Sequence, residues 1–379
     1  MAEPSRYIAN NTATTPNRIV YHQELIASLA RITTTTPPVH TCSTGWSFSG
    51  FYTGPTSIAL LFYKLSQIYP DLELGHQLLC DWAEQYLQLG ARLKSPPPDP
   101  NHCGIGNETL AHLALSAVMN QEPALIRQLC SHASMINSPT HEGSNEWLYG
   151  RAGYLYLLRL CQTIVPDQSD TNTATILQTT ISSTVDRILS TPRPWTWHGK
   201  EYLGAVHGSM GIITQTILSK QSVAPRLTPM LLELLNFQFP SGNFPSSLPP
   251  GSDKLVQLCH GGPGFVISLR TLLPFLPDST DIVKRSMSNA QADVWRRGIL
   301  TKEPCLCHGI AGNALALDRD DHFTHFMSFM TSDKIEQFKD HDRRDSSDSS
   351  LYTGEAGRAW SWAVADKALP KTCIGYNDV

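Results

Sequence analysis

The chain has 379 residues, a formal net charge of -4, a hydrophobic fraction of 41% and a charged fraction of 16%. This hydrophobic content can build a packed core and excludes a wholly disordered chain. The slight negative charge excludes the basic surface of a typical nucleic-acid-binding protein. No stretch is long and apolar enough for a transmembrane helix, and the first residues lack a secretory core, so a cytoplasmic location is expected.

Composition divides the chain into two parts. Residues 1–40 are polar and rich in threonine, and they predict a lead-in segment with a helix near Val20–Ala30. Residues 41–379 carry the apolar, repetitive pattern and are expected to form one domain.

Seven glycine turns follow one another along this domain, and each opens into an apolar run with helical spacing. Their second glycines are Gly54, Gly106, Gly153, Gly211, Gly264, Gly312 and Gly357. Units of this size, a helix pair with its loops, cannot bury an apolar face alone, so they must stack or close into a ring. Because the helix after each turn is apolar on nearly all sides, it is expected to be buried on all sides. The pattern predicts an all-α fold, an α/α toroid of seven helix pairs.

Two Cys-His-Gly triplets lie in the fifth and sixth turns and supply Cys259, Cys307 and His308. Equivalent turns of adjacent repeats lie side by side, so these three side chains are expected to converge. Two sulfurs and one imidazole suit Zn²⁺ and leave a fourth tetrahedral position open for an incoming thiol. Cys305 is an alternative to either sulfur ligand, and His260 is an alternative to His308.

The third and fourth turns add candidates at the same end of the toroid. His207 occupies the equivalent position of the fourth turn, where a neutral imidazole could move a proton to or from substrate. Glu146 and Arg151 flank the third turn and could line the same opening. An exposed glutamate and a structural arginine are equally compatible with the sequence.

Four motifs resemble those of the LanC-like proteins, the eukaryotic relatives of bacterial lanthionine synthetase cyclases. They are EWLYGRAGYLYLL, WHGKEYLGAVHGSMGI, LCHGGPG and LCHGIAGNA. The resemblance runs through all seven repeats and implies a seven-fold α/α toroid. It also implies a zinc ion at the positions of Cys259, Cys307 and His308, and an acid/base role for His207.

The resemblance further implies glutathione as a partner, its thiol being added to dehydroalanine or dehydrobutyrine in a peptide or protein. Glu146 matches an acidic position of the bacterial cyclases, while Lys302 and Arg6 match positions associated with the carboxylates of glutathione. The seventh turn departs from the family pattern, because Thr353 stands where glutamate is usual. A lanthionine cyclase and a non-catalytic zinc- and glutathione-binding adaptor or small-molecule sensor remain alternatives, and a monomer is expected.

Overall fold

A computed structural model describes residues 5–10, 18–39, 46–91, 96–165, 171–335 and 349–379. These residues are mainly helical, and the predicted boundary between residues 40 and 41 lies outside them. The α-helices are α1 Tyr21–Thr35, α2 Pro55–Ile68, α3 Leu79–Ala91, α4 Glu108–Asn120, α5 Pro123–Ser131, α6 Ala133–Ile136, α7 Arg151–Gln162, α8 Thr171–Ser190, α9 Ser209–Ser219, α10 Ala224–Leu235, α11 Gly262–Leu272, α12 Thr280–Arg297, α13 Ile310–Leu315, α14 Asp320–Met327 and α15 Glu355–Asp366. The strands are β1 Glu73–Leu74, antiparallel to β2 Gln77–Leu78, and β3 Glu201–Tyr202, antiparallel to β4 Ser247–Leu248.

Seven helices form a closed inner ring. Contacts run from α2 to α4, α7, α9, α11, α13 and α15, and α15 returns to α2. These helices are buried on nearly all sides: in α7, every residue from Arg151 to Cys161 is buried. The predicted α/α toroid is therefore confirmed.

An outer helix covers each inner helix. The outer partners are α3 on α2, α5 on α4, α8 on α7, α10 on α9, α12 on α11, α14 on α13 and α1 on α15. The helix predicted near Val20 is thus α1, and it supplies the outer helix of the seventh pair. No helix in the described part of the chain has the length and hydropathy needed to span a bilayer.

The glycine turns allow the backbone of each turn to pack against the start of its own inner helix. At Gly312, a Cβ atom would lie 1.9 Å from the carbonyl oxygen of Leu306, so no larger residue fits there. Gly261, which caps the N-terminus of α11, has φ +116°, a backbone conformation that other residues rarely adopt. The close approach seen at Gly312 recurs at Gly153, Gly211 and Gly264, which explains why glycine recurs at this point of the repeat.

Backbone hydrogen bonds link the seven turns to one another. Within the described ranges, each of these bonds runs from a backbone N–H to a carbonyl oxygen: Cys259 to Cys307, Cys307 to Tyr352, Tyr352 to Tyr52, Phe51 to Ile105, Ile105 to Trp147 and Trp147 to Val206. The bond from the seventh turn to the first closes the chain of turns across the point where the repeats begin and end. We call this set of bonds the turn ladder.

Residues 371–379, here called the tail, fill the axis of the ring behind the turns. The carbonyl oxygen of Tyr376 accepts a hydrogen bond from Gln215 of α9 at 2.9 Å, and its hydroxyl bonds Ser268 of α11 at 2.7 Å. On the other side, Asp378 lies 2.8 Å from the ammonium of Lys64 in α2. Only the axis lies within reach of all three helices. The ring of Tyr376 meets that of Trp147 edge-on, so the tail reaches the turn end.

Glu108, the first residue of α4, has its carboxylate buried between the first two repeats. It accepts a hydrogen bond from the N–H of Gly50 at 2.8 Å and another from the hydroxyl of Thr56. Burial nevertheless raises the pKa of Glu108 from 4.5 to about 7, because desolvation outweighs these two bonds. The stability that the protonated carboxyl provides is complete below about pH 4.5 and is lost as the pH rises through about 7.

We therefore expect Glu108→Gln to gain stability relative to the unmodified chain as the pH rises from 5 to 8. The relative gain in free energy of unfolding should reach about 2 kcal/mol, since each unit of pKa shift corresponds to about 1.4 kcal/mol. Urea denaturation at a series of pH values measures it. Glu84→Gln, at an exposed glutamate, is the control and should show no such trend. Parallel stability curves for Glu108→Gln and the unmodified chain would contradict the raised pKa.

The tail is expected to depend on its buried ion pair. Asp378→Ala would leave Lys64 and the hydroxyl of Tyr156, which donates to Asp378 at 3.0 Å, without their partner. Loss of one member of a buried pair typically costs about 3 kcal/mol of unfolding free energy. Asp186→Ala removes the exposed pair with Lys220 and should cost less than about 1 kcal/mol. Equal losses for the two variants, measured by chemical denaturation, would show that the tail is weakly held.

Candidate functional site

The turn ladder brings Cys259 and Cys307 side by side. The N–H of Cys259 donates to the carbonyl oxygen of Cys307 at 3.1 Å, and the two thiols also bond each other. Each cysteine lies two residues before the glycine that caps an inner helix, Gly261 for α11 and Gly309 for α13. Both sulfurs therefore lie near helix N-termini, where the partial positive charge favours a thiolate.

Each sulfur also accepts a hydrogen bond from a neighbouring polar side chain. The hydroxyl of Tyr52 donates to Sγ of Cys307 at 3.1 Å, and the amide of Gln257 donates to Sγ of Cys259 at 3.0 Å. The hydrogen bond from Cys307, with further help from Gln257 and the charge of Lys302, lowers the pKa of Cys259. The same thiol–thiol bond raises the pKa of Cys307, and burial adds to it. Of the two thiols, Cys259 is therefore the more readily ionised.

Three histidines occupy the position just before a capping glycine. His207, His260 and His308 precede the N-termini of α9, α11 and α13, which is the equivalence that the repeats predict. His308 is half-buried, and Nδ1 of His260 is buried without a hydrogen-bond partner in the described structure. The pKa of His260 falls to about 4 through burial and the nearby His207.

The structure brings two of the three predicted zinc ligands together, namely the two cysteines. In the described ranges, no group of three or more His, Cys, Asp and Glu side chains has the arrangement of a metal site. His308 follows Cys307 directly in the chain, and Cys305 is buried in the same turn and electrostatically coupled to Cys307. The convergence of a third ligand therefore stays a prediction.

His207 and Glu146 form a hydrogen-bonded pair across the third and fourth turns. Nδ1 of His207 lies 3.0 Å from Oε2 of Glu146, whose side chain is only 2% exposed. The carboxylate also accepts the N–H groups of Leu148, at 2.8 Å, and Tyr149. A carboxylate held in this way keeps a proton on Nδ1 and leaves Nε2 of His207 as the basic nitrogen. The sequence placed both residues at this end but did not indicate that they pair.

An aromatic residue that the sequence analysis did not single out covers the ring of His207. The ring centroids of Trp197 and His207 are 3.8 Å apart and the rings are nearly parallel, with an angle of 6°. Trp197 belongs to the WHGKEY motif, ten residues before His207, and this motif is the sequence feature that could have pointed to it. The chain folds back between the two residues, so their separation in the sequence does not predict that their rings stack.

Arg151 is fully buried and faces the loop before the third turn. Its guanidinium donates to the carbonyl oxygens of Ile136 at 3.0 Å and Glu142 at 2.9 Å, and to the side chain of Asn145 at 2.9 Å. Burial lowers the pKa of Arg151. These contacts fix the loop that leads into Glu146, so Arg151 supports that carboxylate from behind.

Arg6 and Lys302 lie on neighbouring segments with exposed side chains. The carbonyl oxygen of Arg6 accepts a hydrogen bond from the N–H of Thr301 at 3.1 Å. The ammonium of Lys302 is near enough to the thiols to lower the pKa of Cys259. Thr353 is half-buried in the seventh turn, directly before the capping Gly354. Lys302 is thus the cation near the cysteines, and Arg6 lies on the segment beside it.

Comparison with protein families supports the resemblance seen in the motifs. The family model described as lanthionine synthetase C-like protein matches residues 46–363, which is most of the chain. The chain belongs to the lanthionine synthetase C-like family.

Two curated members of this lanthionine synthetase C-like family illustrate its range. The chain is 28% identical over 284 residues to a Danio rerio protein named glutathione S-transferase LANCL1, covering 69% of this chain and 67% of that protein. It is 32% identical over 254 residues to the LanC-like protein GCL1 of Arabidopsis thaliana, covering 62% of this chain and 58% of that protein. Among solved structures, nisin cyclase matches with a TM-score of 0.60 and 12% identity, covering 94% of this chain and 97% of that one. This last likeness concerns the fold.

Proposed function

We propose that this lanthionine synthetase C-like protein adds the thiol of glutathione to dehydroalanine or dehydrobutyrine residues of a peptide or protein. The observation that carries the proposal is that one end of the toroid holds two adjacent thiols and an imidazole–carboxylate pair. The ring of His207 lies 6.1 Å from that of His260, the residue after Cys259, so both groups border the same opening. The name of the Danio rerio relative supports glutathione as the thiol donor.

The donor set at this opening suits zinc. Two adjacent sulfurs, each of which accepts a hydrogen bond from a neighbouring side chain, Tyr52 or Gln257, supply the kind of donor that Zn²⁺ takes as thiolate. We propose Cys259, Cys307 and His308 as the ligands. Zinc in this position would keep an incoming thiol ionised near neutral pH.

The protein's own residues then account for the proton transfers. Nε2 of His207 takes the proton of the incoming thiol, while Glu146 stabilises the resulting imidazolium through Nδ1. The sulfur forms a bond to the β-carbon of the dehydroamino acid, and the π electrons move to the α-carbon. The imidazolium returns the proton to that carbon, so the net reaction adds S–H across C=C. Arg6 and Lys302 would bind the carboxylates of glutathione.

The proposed metal centre predicts one zinc per chain after purification. Cys259→Ser and Cys307→Ser should each lose most of it, because serine is a poor zinc ligand compared with a thiolate. Cys80→Ser, at the exposed cysteine of α3, is the control and should retain the metal. Elemental analysis of the dialysed proteins measures this. Equal zinc contents in all four proteins would contradict the ligand assignment.

The proposed reaction predicts that His207→Asn retains zinc but loses activity by about 100-fold, the usual contribution of a general acid–base group. Activity is measured by mass spectrometry, as the gain of one glutathione on a dehydroalanine peptide. Full activity in His207→Asn would contradict the proposed proton transfers.

A dehydrated peptide with its own cysteine separates the alternatives. If it closes a ring faster than glutathione is added to it, the chain is a cyclase. If zinc and glutathione bind but neither reaction occurs, the chain is an adaptor. Either result would replace the proposed function.

A further inference from the structure

Trp197 and Glu146 together restrict the imidazole of His207 in two different ways. The indole covers one face of the ring at 3.8 Å and 6°, which limits tilting of the imidazole plane. The carboxylate holds Nδ1 at 3.0 Å, which limits rotation within that plane. The hydrogen bond alone would still allow the ring to swing about its bond to the chain.

A short hairpin holds the indole in place. The N–H of Trp197 donates to the carbonyl oxygen of Lys200 at 2.9 Å, and the reverse bond is 3.1 Å long. The two residues between them, His198 and Gly199, have φ +48° and +74°, as a tight two-residue hairpin turn requires. The chain continues directly into β3, which pairs with β4. The indole therefore lies on a hairpin turn whose position is fixed by the pairing of β3 with β4.

The remaining neighbours of His207 leave one nitrogen free. The rings of Tyr149, Tyr202 and His260 have centroids 6.1 to 6.3 Å from that of His207. Nε2 of His207 has no hydrogen bond to any described residue, and 14% of the side chain is exposed. Nε2 is therefore the atom available to a substrate.

We infer that Trp197 is a positioning residue for proton transfer by His207, an inference that rests on the proposed function. The stacked indole and the Glu146 carboxylate hold the imidazole in one orientation, with Nε2 presented to the opening. Proton transfer requires close alignment, and a misplacement of about 1 Å can cost roughly 100-fold in rate. The indole therefore contributes to the turnover number and not to the binding of glutathione.

Trp197→Leu and Trp197→Phe test this inference. Leucine fills space but offers no flat face, so kcat should fall about 10- to 100-fold while KM for both substrates stays within about two-fold. Phenylalanine keeps a stacking face, so kcat should stay within about three-fold of the unmodified protein. Lys200→Ala, at an exposed side chain of the same hairpin, is the control, because it keeps the backbone bonds to Trp197, and it should leave kcat unchanged. A raised KM for the dehydrated peptide with unchanged kcat in Trp197→Leu would overturn the inference and make Trp197 a substrate contact.

A spectroscopic measurement separates the inference from the proposed function. In protein with nitrogen-15-labelled histidine, the Nδ1–H signal of His207 can be assigned by its loss in His207→Gln. It should persist in Trp197→Phe and broaden or disappear in Trp197→Leu. If the Nδ1–H signals follow this pattern but neither the unmodified protein nor the variants add glutathione to the peptide, the proposed function is wrong and the positioning of His207 by Trp197 is still supported. A signal unchanged in Trp197→Leu would overturn the positioning, whatever the activity.

Discussion

The turn ladder is the constraint on which the candidate site depends. Among the described residues, six of the seven turns, all but the fourth, give an N–H to the carbonyl of a neighbouring turn, and the bond from Tyr352 to Tyr52 joins the last repeat to the first. Another of these bonds runs from Cys259 to Cys307, so the turn ladder also brings the two cysteines together. Buried backbone groups must find partners, and in these turns, outside regular secondary structure, the neighbouring turn supplies them. A change that separated two repeats would therefore alter the site directly.

Buried residues behind the turns close the site on the side that faces the ring axis. Tyr352 stacks on Tyr52 with ring centroids 5.4 Å apart, and its hydroxyl donates to the carbonyl oxygen of Ile374 in the tail at 2.7 Å. Tyr52 in turn donates to Cys307, so a chain of packed rings connects the tail to the sulfur. Water is excluded from this side, which strengthens each charge interaction around the thiols. The opening at the turn end is then the side from which substrates would approach.

The sequence predicted the features that all repeats share, and it did not predict the side-chain contacts in which the repeats differ. Seven turns at regular spacing predicted the toroid, and equivalent triplets predicted that Cys259 and Cys307 would meet, because a repeat places equal positions side by side. The pairing of Glu146 with His207 depends on side-chain rotamers in two unlike turns, which spacing does not specify. Arg151 illustrates the same limit: its position beside the turn was known, but only the folded loop shows that it faces the carbonyls of Ile136 and Glu142.

The two halves of the opening are electrostatically distinct, and this division follows from the order of the repeats. Turns five and six carry the thiols, with the cation of Lys302 lowering the pKa of Cys259. Turns three and four carry a buried carboxylate bonded to an imidazole. A cation lies near the sulfurs on the first side, whereas an imidazole bonded to a carboxylate lies on the second. His260 lies between them, and its lowered pKa keeps it neutral, so it does not add a competing charge. A thiol and a proton acceptor thus meet at the boundary between the fourth and fifth repeats.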